Sequence, residues 1–259
     1  RAIDLALDIA NIKPSDIDYV AFGGTTGYWF PILYKIIAKF SVKDYVEQCH
    51  KYWKPILLEG KKLSPFDDFN LFRDRNPEIE NDPYFSFIKR AEEAPPSKWD
   101  EIAHDIRCEV VLDHLGLGKS QVLAFRHEDC HKVYGIFSAP FRFESALVIT
   151  VEGGGDDSSA TVSIFEDKNI KEIWSSNEFM AGRLYRYVTL LLGMKPTQHE
   201  YKVMGLAPYG NRYLGERSLQ FFRKVNSVNG TEIVRSPEVK DMYFSVKEDL
   251  EGERFDGIA

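Results

Sequence analysis

Two histidines four residues apart, in His127-Glu128-Asp129-Cys130-His131, stand between two apolar segments, and this arrangement constrains the chain more than any other feature. Upstream, Gln121-Val122-Leu123-Ala124-Phe125 reads as a buried strand that delivers the chain to His127. Downstream, Ala146-Leu147-Val148-Ile149-Thr150-Val151 reads as a second strand running into Glu152-Gly153-Gly154-Gly155-Asp156-Asp157-Ser158. A helix starting at His127 puts both imidazoles on one face, close enough to share a cation, with Glu152 as a third ligand. The glycine turn joins the second strand to residues 159–165, and Ile170–Ser175 completes a three-stranded meander. Its backbone amides can approach an anion closely, and Asp156, Ser158 and Ser159 stand where they can position metal or water. A triple-glycine turn alone is a weak signal.

Elsewhere helical and extended segments alternate, which predicts an α/β chain. Residues 1–11 have helical spacing, and Ile17-Asp18-Tyr19-Val20-Ala21-Phe22-Gly23-Gly24 is a short buried strand ending in a glycine turn. Val42, Tyr45, Val46, Cys49, Tyr52 and Trp53 mark an amphipathic helix over residues 41–53. Residues 60–97 turn polar and Pro-interrupted and read as an inserted excursion with one short helix; Tyr84, Phe85, Phe87 and Ile88 either pack there or line an acceptor pocket. Helical spacing returns from Trp99 towards Gly116, and again from Leu184 to Gly193. His199-Glu200-Tyr201-Lys202-Val203-Met204-Gly205-Leu206-Ala207-Pro208-Tyr209-Gly210 packs charge, Gly and Pro together. It reads either as a shaped loop at a site or as a solvated connection between helices.

Composition removes several function classes. With 259 residues, 44% of them hydrophobic, there is material for one large domain or two small ones. A formal charge of −7 and the lack of a Lys/Arg run argue against nucleic acid as the partner and for a small molecule. Cys49, Cys108 and Cys130 make neither a disulfide framework nor a CxxC zinc site, so a reducing cytoplasm is expected. No apolar run approaches the ~20 residues needed to cross a bilayer, so no membrane is expected. The chain opens on Arg1 within a helical pattern and closes on Ile258-Ala259 without a helix stop, which reads as a fragment.

Taken in order, His127-x3-His131, Val151-Glu152-Gly153-Gly154-Gly155-Asp156, Gly182-Arg183-Leu184-Tyr185 with Thr189 and Gly193, and Glu200 through Gly210 resemble the O-carbamoyltransferases of nodulation-factor and antibiotic biosynthesis. Arg254-Phe255-Asp256-Gly257-Ile258-Ala259 also looks like that family where its next helix begins. The resemblance implies an actin-like, sugar-kinase-like (ribonuclease H-like) ATPase domain, incomplete at both ends and carrying a helical insertion. Residues 1–25 and 98–141 would form part of a first α/β subdomain, 26–97 the mainly helical insertion, and 142–259 part of a second. His127 and His131 match the family's metal-binding histidines, and Glu152 stands where relatives usually have the Asp of an Asp-Gly-x-Gly-Asp loop. Asp156 matches the second Asp of that loop, and a further family ligand would lie beyond Ala259. Arg126 occupies a position where relatives often place a histidine, and Lys132 and Tyr134 replace small residues.

The implied reaction is attack by a substrate hydroxyl on carbamoyl adenylate, itself made from ATP and carbamoyl phosphate, giving an O-carbamoyl ester and AMP. A metal held by His127, His131 and Glu152 would polarise the developing anions; two imidazoles and a carboxylate suit iron, zinc or manganese, and the resemblance favours iron. Gly153, Gly154, Gly155 and Ser158 would hold the phosphate. Lys202 would add positive charge, and Glu200 or Asp156 would orient the acceptor hydroxyl or take its proton. Two other classes compete with this reading: a non-catalytic nucleotide-binding or assembly subunit of the same fold, and a small-molecule kinase. Acceptor identity and oligomeric state stay open.

Overall fold

Parallel strands cannot be joined by a tight turn, and the first two strands of this protein are parallel. The computed structural model describes residues 1–25, 35, 39–73, 85–140, 144–179, 181–230 and 232–258. After helix α1 (Ala2–Ala10), β1 (Val20–Gly23) pairs with β2 (Val122–Phe125), in a register that sets Val20 beside Val122 and Gly23 beside Phe125. In the long connection between them every described element is a helix, joined by turns and coil. Helix α2 (Val42–Gln48) continues through a π-helical turn at Cys49–Trp53 and a last α-turn at Lys54–Leu57. The widened turn lies just before Pro55, which has no N–H to offer the helix ladder. Ser41 caps α2 through a reciprocal pair with Asp44, its backbone N–H donating to Asp44 Oδ2 at 2.8 Å.

Two helices, α3 (Pro65–Arg73) and α4 (Phe85–Glu92), occupy the segment that the sequence suggested holds one. Phe66, Phe69 and Phe72 recur every third residue on α3 and are buried with Phe40, Tyr45 and Ile88 against Leu190 and Tyr243. The excursion therefore supplies part of a buried core that it shares with segments before and after it. Tyr84 and the side chains of Phe85 and Phe87 lie outside the described residues. Helix α5 (Trp99–Leu115) returns the chain to β2, packing Cys108 and Leu112 under Phe22 of β1.

Helix α6 (His127–Ser138) follows β2 directly, and then β3 (Ala146–Val151), β4 (Ala160–Glu166) and β5 (Asn169–Ser176) form an antiparallel sheet in that order. Asp167 and Lys168, both at positive φ (50° and 63°), turn β4 into β5. Two positive values in a row match the right-handed twist of the flanking strands. Side chains alternate along β3, so Val148 and Thr150 face α6. Val148 packs there with Ile136 and Phe165, and the buried Thr150 and Thr161 hydroxyls meet at 2.7 Å.

The remaining elements are α7 (Ala181–Leu191), α8 (Glu200–Leu206), α9 (Glu216–Val225), the hairpin β6 (Asn226–Asn229) and β7 (Glu232–Arg235), α10 (Met242–Leu250) and α11 (Phe255–Ile258). Val188, Val203, Phe221, Met242 and Val246 join α7, α8, α9 and α10 in a second apolar cluster. The stretch from 199 to 210 is thus neither an irregular loop nor a bare connection. It is an α-helix followed by a 3-10 turn at Ala207–Tyr209 in which Pro208 takes an early position, where its missing N–H is harmless. No described helix is long and apolar enough to cross a membrane.

Candidate metal centre

Arg126 is the N-cap of α6, so the two histidines occupy its first and fifth positions on one face. Their rings stand 4.6 Å apart at 76°, and the two Nε2 atoms are 3.1 Å apart. At most one proton can lie between two such nitrogens. Glu152 reaches the same point from the sheet. Its N–H donates to Ser159 O at 2.7 Å, extending the β3–β4 ladder one step, and the period of two that turns Val148 and Thr150 towards α6 turns Glu152 the same way. Its Oε1 lies 3.0 Å from His131 Nε2.

One donor atom from each of His127, His131 and Glu152 falls within 4.8 Å of the others. Two atoms bound at right angles to one ion, with bonds of about 2.1 Å, stand roughly 3 Å apart, so the spacings of 3.0 and 3.1 Å fit a shared divalent cation. Two nitrogens and one oxygen are a donor set suited to iron, zinc or manganese.

The loop beyond Glu152 is held from two sides. On one side, Gly182 in the first turn of α7 touches its backbone: a Cβ there would lie 2.7 Å from Gly153 N. Arg183 Nε donates to Gly153 O at 2.9 Å. On the other side, Glu128 of α6 accepts from Ser158 N at 3.2 Å. Among the described residues no acceptor takes up the N–H groups of Gly153, Gly154 or Gly155. Asp156 is the junction of three elements, its Oδ2 accepting from Thr25 N (2.7 Å), Thr25 Oγ1 (3.0 Å) and His127 N (3.0 Å). It places a negative charge at the start of α6, the end that favours one.

The other predicted residues are placed differently. Ser158 is buried and its hydroxyl has no partner among the described residues, so only its amide takes part in the loop's described contacts. Glu200 Oε1 accepts from Thr197 N at 2.5 Å, and Lys202 lies over the Tyr201 ring at 5.8 Å. Among the described residues neither forms a hydrogen bond or ion pair with His127, His131 or Glu152.

Sequence reasoning passed over an ionic network behind the histidine face. Arg126 Nη2 meets Asp157 Oδ1 at 2.7 Å, and Lys132 Nζ meets Glu172 of β5 at 2.6 Å and Asp129 at 3.0 Å. Burial works against the Lys132 charge, but the hydrogen bonds that Lys132 donates to Glu172 and Asp129 outweigh it and hold the ammonium above the usual lysine range. The hydrogen bond to Asp157 likewise raises Arg126. The signal in the sequence was the pair of residues that depart from the family pattern, Arg126 and Lys132, which here form one network. Burial and then Asp129 raise the Cys130 thiol above the ordinary value, which disfavours its thiolate form.

Residues 1–227 match the family model described as the carbamoyltransferase N-terminus. The chain belongs to the carbamoyltransferase family. Nodulation protein NolNO of Sinorhizobium fredii is 39% identical over 70 residues, covering 27% of this chain and 10% of its own length. Nodulation protein NolO of Bradyrhizobium diazoefficiens is 34% identical over 103 residues, 39% of this chain and 18% of its own. An uncharacterized protein of Methanocaldococcus jannaschii is 36% identical over 87 residues, 33% of this chain and 17% of its own. The matched segments therefore span less than a fifth of each curated relative. The cluster of His127, His131 and Glu152 lies inside the stretch of the chain assigned to the carbamoyltransferase family.

Proposed function

We propose that this protein transfers a carbamoyl group from carbamoyl adenylate, made from carbamoyl phosphate and ATP, to a hydroxyl of a sugar or secondary metabolite. The observation that carries the reading is the convergence of His127, His131 and Glu152 at the mouth of a glycine loop whose amides find no acceptor among the described residues, in a chain of the carbamoyltransferase family. The proposal includes an actin-like, sugar-kinase-like domain organisation, divided at 1–25 with 98–141, 26–97 and 142–259. The parallel pair β1–β2 and the antiparallel set β3–β4–β5 support it.

In this reading the acceptor oxygen attacks the carbamoyl carbon, the bond from that carbon to the phosphate oxygen breaks, and AMP leaves with the electron pair. The hydroxyl proton passes to a carboxylate of the site or to water. The amides of Gly153–Gly155 and the positive end of α7 hold the phosphate, with the Arg183 guanidinium beside them. When bound, a divalent cation on His127, His131 and Glu152 supplies positive charge for the oxygens that become anionic. Asp156, already accepting from Thr25 and His127, orients the site. Glu200 and Lys202, both on α8, serve in this reading as acceptor-side base and counter-charge. The three cysteines are free thiols, which supports a cytoplasmic setting.

The test is incubation of the intact protein with ATP, carbamoyl phosphate and a panel of hydroxylated acceptors. AMP release that requires carbamoyl phosphate, with carbamoylated acceptor formed, is the expected result, and His127→Ala/His131→Ala should abolish it. Acceptor-dependent ADP without carbamoyl phosphate would instead make the protein a kinase. Neither product would leave a binding or assembly role.

A further inference from the structure

We propose that Glu128 is a positioning residue that locks the glycine loop, and with it Glu152, in register with the histidine face of α6. The consequence for metal rests on the site reading above. The side chain follows His127 by one residue, so it points about 100° away from it around the helix, into the protein. It is completely buried. Its Oε1 accepts from Ser158 N at 3.2 Å and, at a longer 3.4 Å, from Asp157 N. These two N–H groups have no other acceptor among the described residues. The loop also lies directly against the carboxylate: a Cβ on Gly155 would sit 1.9 Å from Glu128 Oε1 and 2.7 Å from its Cδ. Glycine at 155 is what lets helix and loop come this close.

Stability alone does not account for this arrangement. Glu128 Oε2 is buried without a hydrogen-bond partner among the described residues, a state that costs free energy and that an apolar side chain of similar size would avoid. The carboxylate does one thing an apolar group cannot: it fixes two backbone amides by direction. Those amides lie at the far end of the loop that Glu152 begins, and the near end is fixed by the ladder bond from Glu152 N to Ser159 O. With both ends held, Glu152 is presented to His131 in a single orientation. Outer groups of this kind around metal ligands typically alter affinity by about 10- to 100-fold when removed.

The experiment measures zinc affinity of the 259-residue chain by chelator competition, together with amide hydrogen exchange of the metal-free protein at Asp157 and Ser158. Glu128→Ala, and Glu128→Asp as a second variant that keeps the carboxyl group but falls a methylene short, should each weaken zinc binding about 10- to 100-fold. Both should speed exchange at the two amides. Glu128→Gln, which keeps an acceptor oxygen at the same reach, should restore both. Zinc affinity and exchange unchanged in Glu128→Ala or in Glu128→Asp would overturn the proposal. If the wild type binds no zinc, the metal reading fails separately, and the exchange data decide: faster loop exchange in both variants, restored by Gln, upholds the lock, and unchanged exchange removes it.

Discussion

The helical segment around α3 and the site around α6 are built on opposite terms. In the first, Phe40, Phe66, Phe69, Phe72 and Ile88 interlock with ring centroids as close as 4.5 Å, as between Phe40 and Phe72. Such packing is non-directional, and its strength follows the apolar area removed from water. In the second, the buried apolar cluster beneath α6 among the described residues is Ile136, Val148 and Phe165, while the loop is placed by single hydrogen bonds and backbone clearances. The first region should lose stability in proportion to atoms removed. The second should lose alignment at a change of one or two atoms.

The largest expected effect breaks the first region while sparing the second. Phe69 is 1% exposed, and Phe69→Ala should cost about 3–5 kcal/mol, read from the denaturant midpoint. Zinc affinity of the folded fraction should stay at the wild-type value. Helix α7 belongs to both regions, giving Leu190 to the aromatic cluster and Gly182 and Arg183 to the glycine loop. A matching loss of zinc affinity would show that α7 couples them and that the contrast is one of composition only.

What was readable from sequence follows the same divide between local and non-local information. His127 and His131 were legible because a spacing of four means one helix face, and Glu152 because it opens the glycine turn directly after a strand and matches an acid of the family's loop. Glu128, within the same five residues, was not: its role depends on a loop that returns 30 residues later to within 3.2 Å. Lys132 stood out only as a departure from the family's small residue and is almost wholly buried, because Glu172 comes from a strand 40 residues away. The three phenylalanines of α3 were hidden by the polar and Pro-rich composition around them, although their three-residue spacing was visible. Between 199 and 210, Gly205 and Pro208 suggested irregularity, yet the glycine sits within α8 and the proline is the second residue of the turn that follows.

A smaller effect sharpens the contrast from the side of the ionic network. Lys132→Met removes the partner of Glu172 and Asp129, both partly exposed and able to rehydrate, so a loss of about 1–3 kcal/mol is expected. Its pH dependence has a defined sign. The folded protein holds the Lys132 proton more tightly than the unfolded chain, whose value is 10.5. The contribution is therefore fully present below about pH 10.5 and lost as pH rises through the higher folded value. The stability difference between wild type and Lys132→Met should be flat from neutral pH upward and shrink only in strong alkali. A difference already falling near pH 8 would mean that the ammonium is not held by its partners.

The smallest stability effect belongs to Lys202, whose described contact is its own neighbour Tyr201. Lys202→Ala should change stability by less than about 0.5 kcal/mol, as expected of a surface residue. If α8 supplies counter-charge to the departing phosphate, the same change in the intact protein should slow carbamoyl transfer while the melting temperature stays fixed. This separates the two regions more cleanly than any core substitution, because a residue with almost no structural role can alter turnover only by acting on substrate. Equal turnover in Lys202→Ala would remove Lys202 from the reaction and leave Glu200 as the residue of α8 still assigned a part in it.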